Sequence, residues 1–325
     1  MTLLAYPLAF LLVATLAPLL FAISLLRDVI GAKQLATTRG LLFILFYLGC
    51  ELAGIAASFW IWSLSKLTGN HELALDRYSR LQWWWTDTLF ASLSRVYQLE
   101  VSVSGVEDIS LDCPQLVWMR HSSMADTLLP GALLSSRTGL RLRYVLKREL
   151  LWDPCLDLVG QKLPNVFVDR IPEQGGPDIE RVGQLAQSMA PGDGVLLYPE
   201  GTRFSISRRK KILEQLHREG GSRLAASTAL RHVLPPRRGG ALALLKAAPD
   251  ADVTVCVHHG LERVAGFGDL LSGALIGQTI EVEFWSIPRS SIPVDEAGRC
   301  DWLDDVWSNV DEWLEERSTT TRTPT

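Results

Sequence analysis

The sequence predicts an α/β protein, a largely parallel or mixed sheet flanked by helices, led by an N-terminal hydrophobic helical hairpin. Three observations carry that expectation. From residue 98 onward, short β-rich runs alternate with helical ones, as a sheet with crossover helices requires. Residues 1–64 hold only five formally charged side chains, Arg27, Asp28, Lys33, Arg39 and Glu51. The polar stretches RHSSMAD, DR and YPEGTR each close a predicted strand, and the strand ends of open α/β sheets are where ligands gather.

The hairpin comes first. LLAYPLAFLLVATLAPLLFAISLL (3–26) and LLFILFYLGCELAGIAASFWIWSL (41–64) are two apolar stretches around a short polar connector. At ~1.5 Å per residue either is long enough to cross the ~30 Å hydrocarbon layer as a helix. The first lacks the basic start of a signal peptide, and its apolar run is too long for one. The competing reading is a pair of buried core helices. Positive-inside counting on the basic connector would put the large domain outside, a conflict that a shallow, re-entrant hairpin removes. Glu51 interrupts the second stretch and is expected to be a neutralised or paired carboxylate facing the first helix. Trp83, Trp84 and Trp85 follow, and consecutive residues cannot all face one core, so they are expected at a membrane interface.

The strands are expected at 98–105, 115–121, 142–147, 165–170, 194–201, 252–259 and 278–285, with helices near 178–190 and 207–230. DWLDDVWSNVDEWLEERS (301–318) places Trp302, Leu303, Val306, Trp307, Val310, Trp313 and Leu314 on one helical face opposite an acidic one, a docked amphipathic helix. Along the chain this gives an anchoring hairpin over 1–66, an α/β domain over 67–318 and a disordered tail over 319–325. The five cysteines form no CxxC pair, which fits a reducing compartment and implies no zinc module. A net charge of −4 argues against a nucleic-acid binder. The adjacent His258 and His259 would point to opposite faces of a strand, so no metal site is expected there.

His121 and Asp126 stand five apart in HSSMAD, and so do His71 and Asp76 in HELALD. The second pair lies in a helical run, where residues five apart diverge by about 140°. The first spans a strand end and a helix start, so a bend can bring the two together. A carboxylate there would fix the imidazole tautomer and leave the other ring nitrogen to accept a substrate proton. No G-x-S-x-G elbow surrounds Ser122 or Ser123, so the attacking group should come from a substrate. In YPEGTRFS, residues 198–205, the turn offers backbone N–H groups, the Thr202 hydroxyl and the Arg203 guanidinium to a phosphate. Glu200 would order that turn or bind a polar headgroup, and Gly201 lies at its centre. Asp169-Arg170 brings a second guanidinium to a strand end. The basic run Arg208, Arg209, Lys210 and Lys211 suits anionic headgroups or the phosphates of coenzyme A, or is a solvated helix face.

HSSMAD with YPEGTR resembles the signatures H-x-x-x-x-D and F/Y-P-E-G-T-R of the glycerolipid acyltransferases, the family that includes 1-acylglycerol-3-phosphate acyltransferases. The run between them, KRELLWDPCLDLVGQKLPNVFVDR, is similar to that family's middle motif at Lys147, Glu149, Leu150, Pro154, Phe167, Asp169 and Arg170. The resemblance covers about residues 80–290. Departures are Arg120 for an asparagine, Met124 for a tryptophan, and Asp157 and Pro164 for two glycines. LPPRRGGALALL (234–245) resembles a stretch of one branch of the family. The resemblance implies transfer of an acyl group from acyl-CoA or acyl carrier protein to the free hydroxyl of lysophosphatidic acid; the alternatives are another lysophospholipid acceptor, in lipid remodelling, and a catalytically inactive lipid-binding membrane protein. His121 would be the base and Asp126 its orienter. Lys147, Arg170, Glu200, Gly201, Thr202 and Arg203 would bind substrate, with no cofactor, no metal and no acyl-enzyme. It also implies a membrane location with the catalytic domain on the cytoplasmic side, and a lipid acceptor in place of any nucleic-acid partner.

Overall fold

A computed structural model describes residues 2–32, 34–169, 176–220 and 223–320. Seven strands, β1 (Glu100–Ser104), β2 (Gln115–Met119), β3 (Arg141–Lys147), β4 (Val166–Val168), β5 (Asp193–Leu197), β6 (Asp252–His259) and β7 (Thr279–Ile287), form one mixed sheet in the order β1-β7-β6-β2-β5-β3-β4. Every β-rich run expected from the sequence is a strand. The chain packs as two compact units that interleave along the sequence. One contains Met1–Ser102, Met124–Phe167 and Gly260–Ile280, the other Val103–Ser123, Val168–His259 and Glu281–Thr325.

In the second unit β2 runs parallel to both β5 and β6, with Val117 opposite Leu196 and Thr254. β6 pairs antiparallel with β7, Val255 opposite Trp285. β2 and β5 are buried at every position. That explains why QLVWM and DGVLL read as near-continuous apolar runs instead of alternating ones: both faces are covered. The one polar side chain within β2, Gln115, is answered in place, its Oε1 accepting from the Thr254 hydroxyl at 2.9 Å and its Nε2 donating to Ser110 O at 2.8 Å. The Pro177–Ala186 and Arg238–Ala247 helices meet at Gly183, where a Cβ would stand 3.6 Å from Ala243 O. The Glu296–Thr320 helix docks as expected: Leu303, Val306, Trp307, Val310, Trp313 and Leu314 are buried, and Trp302 lies 5.3 Å from the Trp118 ring. Each such side chain contributes about 1.5–3 kcal/mol on burial. The helix runs through Thr320, and residues 321–325 lie outside the described residues.

The first unit begins with three long helices, α1 (Thr2–Ile30), α2 (Ala36–Thr68) and α3 (His71–Tyr97). α1 is almost wholly uncovered, with Leu8, Leu12, Leu19, Ile23 and Leu26 exposed, so it is not a core helix. Asp28, buried near the end of α1, turns back on the start of α2: its carboxylate accepts from Thr37 N at 3.1 Å, Thr38 N at 2.8 Å and the Thr38 hydroxyl at 2.8 Å. Those amides are the orphan donors of a helix start, and a negative charge there is favoured by the helix dipole. Gly69 ends α2 with φ +66°, and the Asn70 side chain caps α3 by accepting from Leu73 N at 2.9 Å.

α2 and α3 run antiparallel in steady register. The Arg39 guanidinium donates to Val96 O, Trp85 Nε1 donates to Glu51 Oε1 at 2.9 Å, and the Tyr78 hydroxyl donates to Ser58 O at 3.3 Å. Each step forward along α2 is matched, to within a residue, by a step back along α3. Glu51 therefore faces α3, not α1: the indole N–H of Trp85 is the donor that decides its direction. The three tryptophans separate accordingly, since Trp85 turns inward to that carboxylate while Trp84 stays exposed. His71 and Asp76 sit in α3, and Asp76 pairs with Arg80 at 2.9 Å, so this pair is the decoy that its helical setting predicts.

Candidate active site

Parallel pairing sets the site. Because β2 and β5 run the same way, their carboxyl ends open on one edge of the sheet, and the residues that follow each strand meet there. HSSMAD follows β2, and YPEGTR follows β5.

Arg120, directly after β2, is 2% exposed, and its guanidinium donates to His258 O at 2.7 Å and His232 O at 3.3 Å. Its own carbonyl accepts from His258 Nε2 at 3.1 Å. The arginine that departs from the family's pattern thus ties the end of β2 to the end of β6. His258 is spent on the same tie.

His121 comes next, and the YPEGTRF turn holds it at three points. Its amide donates to Glu200 Oε1 at 2.9 Å. Its carbonyl accepts from Phe204 N at 2.8 Å. Its ring lies on Tyr198, centroids 4.5 Å apart and planes tilted by 39°. Main chain and ring orientation are both fixed, which is what a proton-transferring imidazole needs.

Glu200 is 1% exposed, and its second oxygen accepts from Leu234 N at 2.9 Å. Of the two roles open to it, these bonds support ordering of the turn. Gly201 has φ +66°, the left-handed region that favours glycine, and its amide closes the turn by donating to Tyr198 O at 2.9 Å. Thr202 and Arg203 follow at the partly exposed surface, with Arg203 O held by the Arg208 guanidinium at 2.9 Å. Ser205 then caps the Ile206–Glu219 helix by accepting from Arg208 N at 3.3 Å.

Within the second unit, the structure therefore brings together His121, Glu200, Gly201, Thr202 and Arg203. The other expected residues are placed separately. Asp126 belongs to the first unit, fully buried in the short Ala125–Leu128 helix, whose approach is held by Met124 N donating to Val264 O at 3.1 Å. Lys147 also belongs to the first unit, exposed at the end of β3. Arg170 lies outside the described residues.

Two features were not read from the sequence. Tyr198 is the platform under His121. The segment Arg231–Arg237 supplies Leu234 N to Glu200 and Arg237 N to Pro199 O at 2.8 Å. The only local signal was the pair of prolines in LPPRRGG, which mark a fixed, extended stretch. Beside it, Arg238 pairs with Asp304 at 2.5 Å. Burial works against its charge, but the bond and the opposite charge of Asp304 outweigh it, and its pKa stands above the usual arginine value.

Residues 100–258 match the family model described as Acyltransferase. The match makes residues 100–258 an acyltransferase domain. All the expected site residues fall inside this acyltransferase domain. Among solved structures, the chain is similar to the 1-acyl-sn-glycerophosphate (LPA) acyltransferase PlsC from Thermotoga maritima, with a TM-score of 0.59 and 16% identity over 89% of this chain and 100% of that one. At that identity the likeness is one of fold. No curated protein matches the chain in sequence.

Proposed function

We propose that the protein moves a fatty acyl group from acyl-CoA or acyl carrier protein to the free hydroxyl of lysophosphatidic acid, giving phosphatidic acid. The observation that carries this reading is the grip of YPEGTRF on His121: the base and the phosphate-binding turn are built as one unit. His121 takes the proton of the acceptor hydroxyl as its oxygen attacks the thioester carbonyl. The tetrahedral intermediate collapses with cleavage of the C–S bond, and the imidazolium returns the proton to the departing thiolate. Asp126 orients the imidazole, a role that its complete burial supports. Arg203, with Thr202 and the turn amides, holds the acceptor phosphate, joined by Lys147 and Arg170. Positioning of this kind acts by holding the reacting groups at attack distance.

The acceptor and its product are lipids, and we read the hairpin as the membrane contact. α2 is bonded to α3 from Arg39 to Ser58, about 28 Å of helix at ~1.5 Å per residue. α3 carries Arg80, Asp87 and Arg95 over that stretch, charges that are costly in hydrocarbon. A helix docked in this way along its length favours an anchor that dips its exposed apolar surface, α1 above all, into one leaflet. Cysteines placed at the connector and at Leu67 should then both be labelled from the cytoplasmic side only. Labelling of one from each side would establish a crossing.

The direct test is thiol release by purified protein offered a panel of lysophospholipids with each thioester donor. Lysophosphatidic acid should be consumed, and His121→Ala should reduce turnover by about two to four powers of ten. Turnover of another lysolipid in its place would move the assignment to lipid remodelling. Unchanged turnover in His121→Ala would end the mechanism.

A further inference from the structure

The segment Arg231–Arg237, RHVLPPR, has every main-chain amide accounted for. Arg231 N, His232 N and Val233 N all donate to Asp311 Oδ1, at 2.9, 2.6 and 3.1 Å. Leu234 N donates to Glu200. Pro235 and Pro236 have no amide, and Arg237 N donates to Pro199 O. The segment is therefore a strap, fastened at one end to the Glu296–Thr320 helix and at the other to the YPEGTR turn.

Arg237 therefore leaves the main chain at a fixed place beside the turn. A Cβ on Gly201 would stand 2.9 Å from both Cδ and Nε of Arg237, so the arginine stem lies directly across the bare α-carbon of the turn. Its neighbour goes elsewhere: Arg238 is drawn to Asp304 at 2.5 Å. Two adjacent arginines are thus parted: the Arg238 guanidinium meets Asp304, while the stem and Cζ of Arg237 lie over Gly201 of the turn.

We propose that Arg237 is a specificity-determining ligand for the acceptor phosphate, acting beside Arg203 across Gly201. The inference rests on the function proposed above and deepens it by naming what selects the headgroup. A phosphate monoester carries a charge of about −1.5 to −2 and three terminal oxygens, which suits two guanidinium groups. A headgroup-capped lysolipid, with one negative charge and an ester substituent on that phosphorus, gains less from the second cation. Glycine at 201 is then required twice, for its left-handed backbone and for the room it leaves the arginine.

The test uses full-length protein in mixed micelles, with lysophosphatidic acid and its choline ester as acceptors, for wild type, Arg237→Gln and Arg237→Lys. Glutamine keeps a stem over Gly201 without the charge. It should raise KM for lysophosphatidic acid about tenfold, equivalent to one charge-assisted contact, while kcat and the donor KM stay within about twofold. Preference for the monoester over the choline ester should fall by a similar factor, and lysine should restore part of it. A fall in kcat with acceptor KM unchanged, or an equal loss on both acceptors, would make Arg237 a structural part of the strap and overturn the proposal. Should glutamine unfold the protein, the lysine variant decides: an unchanged preference together with an unchanged acceptor KM on losing the planar fork counts against Arg237, and a weakened one counts for it. Wild type that leaves lysophosphatidic acid untouched removes the function itself and this inference with it, an outcome visible before any variant is made.

Discussion

Glu200 and Glu51 are both sealed from solvent, at 1% and 0% exposure, and the two units of the molecule answer them in opposite ways. Glu200 has a backbone amide on each oxygen, His121 N and Leu234 N, both at 2.9 Å. Glu51 has the Trp85 indole on Oε1, while Oε2 makes no hydrogen bond of good geometry among the described residues, with the Asp153 carboxyl and the Cys155 amide beside it. A buried carboxylate ligated by amides on both oxygens is a bolt between two pieces of main chain. One held by a single side chain tolerates substitution far better, because less is left unsatisfied when it goes. The carboxylate at the site is thus held by main-chain amides, and the one in the hairpin by a side chain.

The contrast is broken most easily at Glu200. Glu200→Ala strands two buried amides at about 1–3 kcal/mol each, so about 2–6 kcal/mol of stability should go, and turnover with it as His121 loses its anchor. Glu200→Gln keeps one oxygen but turns its NH2 toward the other amide, and should lie between alanine and wild type. Thermal unfolding and kcat on the same samples report this. A glutamine variant as active as wild type would mean that the carboxylate does not position the histidine.

Asp311 sharpens the comparison at longer range. Asp311→Ala removes the acceptor of three consecutive amides, of which only that of Val233 belongs to a buried residue, and frees the far end of the strap at a cost of about 1–3 kcal/mol. Asp311→Asn should be close to wild type, because Oδ1 receives all three amides while Oδ2 only shares that of Arg231, and an asparagine oxygen can replace Oδ1. Equal losses in the two variants would show that charge, not amide capture, is what the strap requires.

On the hairpin side the controlling contact is steric. A Cβ at Gly54 of α2 would overlap Cys155 Sγ, so Gly54→Ala should cost about 1–3 kcal/mol by overpacking. Cys155→Ala removes that sulfur and should restore most of the loss in the double variant. Unfolding of the four proteins of this cycle in detergent tests it. Additive single effects would mean that α2 does not pack on Cys155 in solution.

These residues also show what the sequence could reveal. All seven strands were legible because each is a short apolar or β-branched run bounded by turn residues, and a run such as QLVWM has no other comfortable state. HSSMAD and YPEGTR were legible because both motifs fall just past strand ends, where parallel pairing must bring them together. The strap was not legible: its role lies in its amides, and every residue but proline has one. Asp311 was hidden for a different reason. It stands in a run of acidic residues on a helix, and nothing in the pattern shows that this one is drawn inward by three N–H groups. Glu51 was recognised as buried, but its partner was misjudged, since the indole that captures it comes from α3, more than thirty residues along the chain. The interleaving of the two units was invisible too, because it depends on which segments pack and not on their order.

The smallest effect is expected at the residue that looks most alarming, a glutamate in an apolar helix. Glu51→Gln keeps an oxygen for Trp85 Nε1 and presents an NH2 group to the Asp153 carboxyl, which already accepts from the Tyr47 hydroxyl at 2.7 Å. It keeps the acceptor for the indole and gives the Asp153 carboxyl a donor in place of an acid that this same carboxyl disfavours in its charged form. Unfolding in detergent should therefore shift by no more than about 0.5 kcal/mol against wild type, or rise slightly. Glu51→Leu is the necessary control, since it strands the indole N–H and should cost about 1–3 kcal/mol. If glutamine instead proves as damaging as leucine, the Glu51 charge is itself required. The contrast with Glu200 would then collapse, because both units would depend on a buried anion for their architecture.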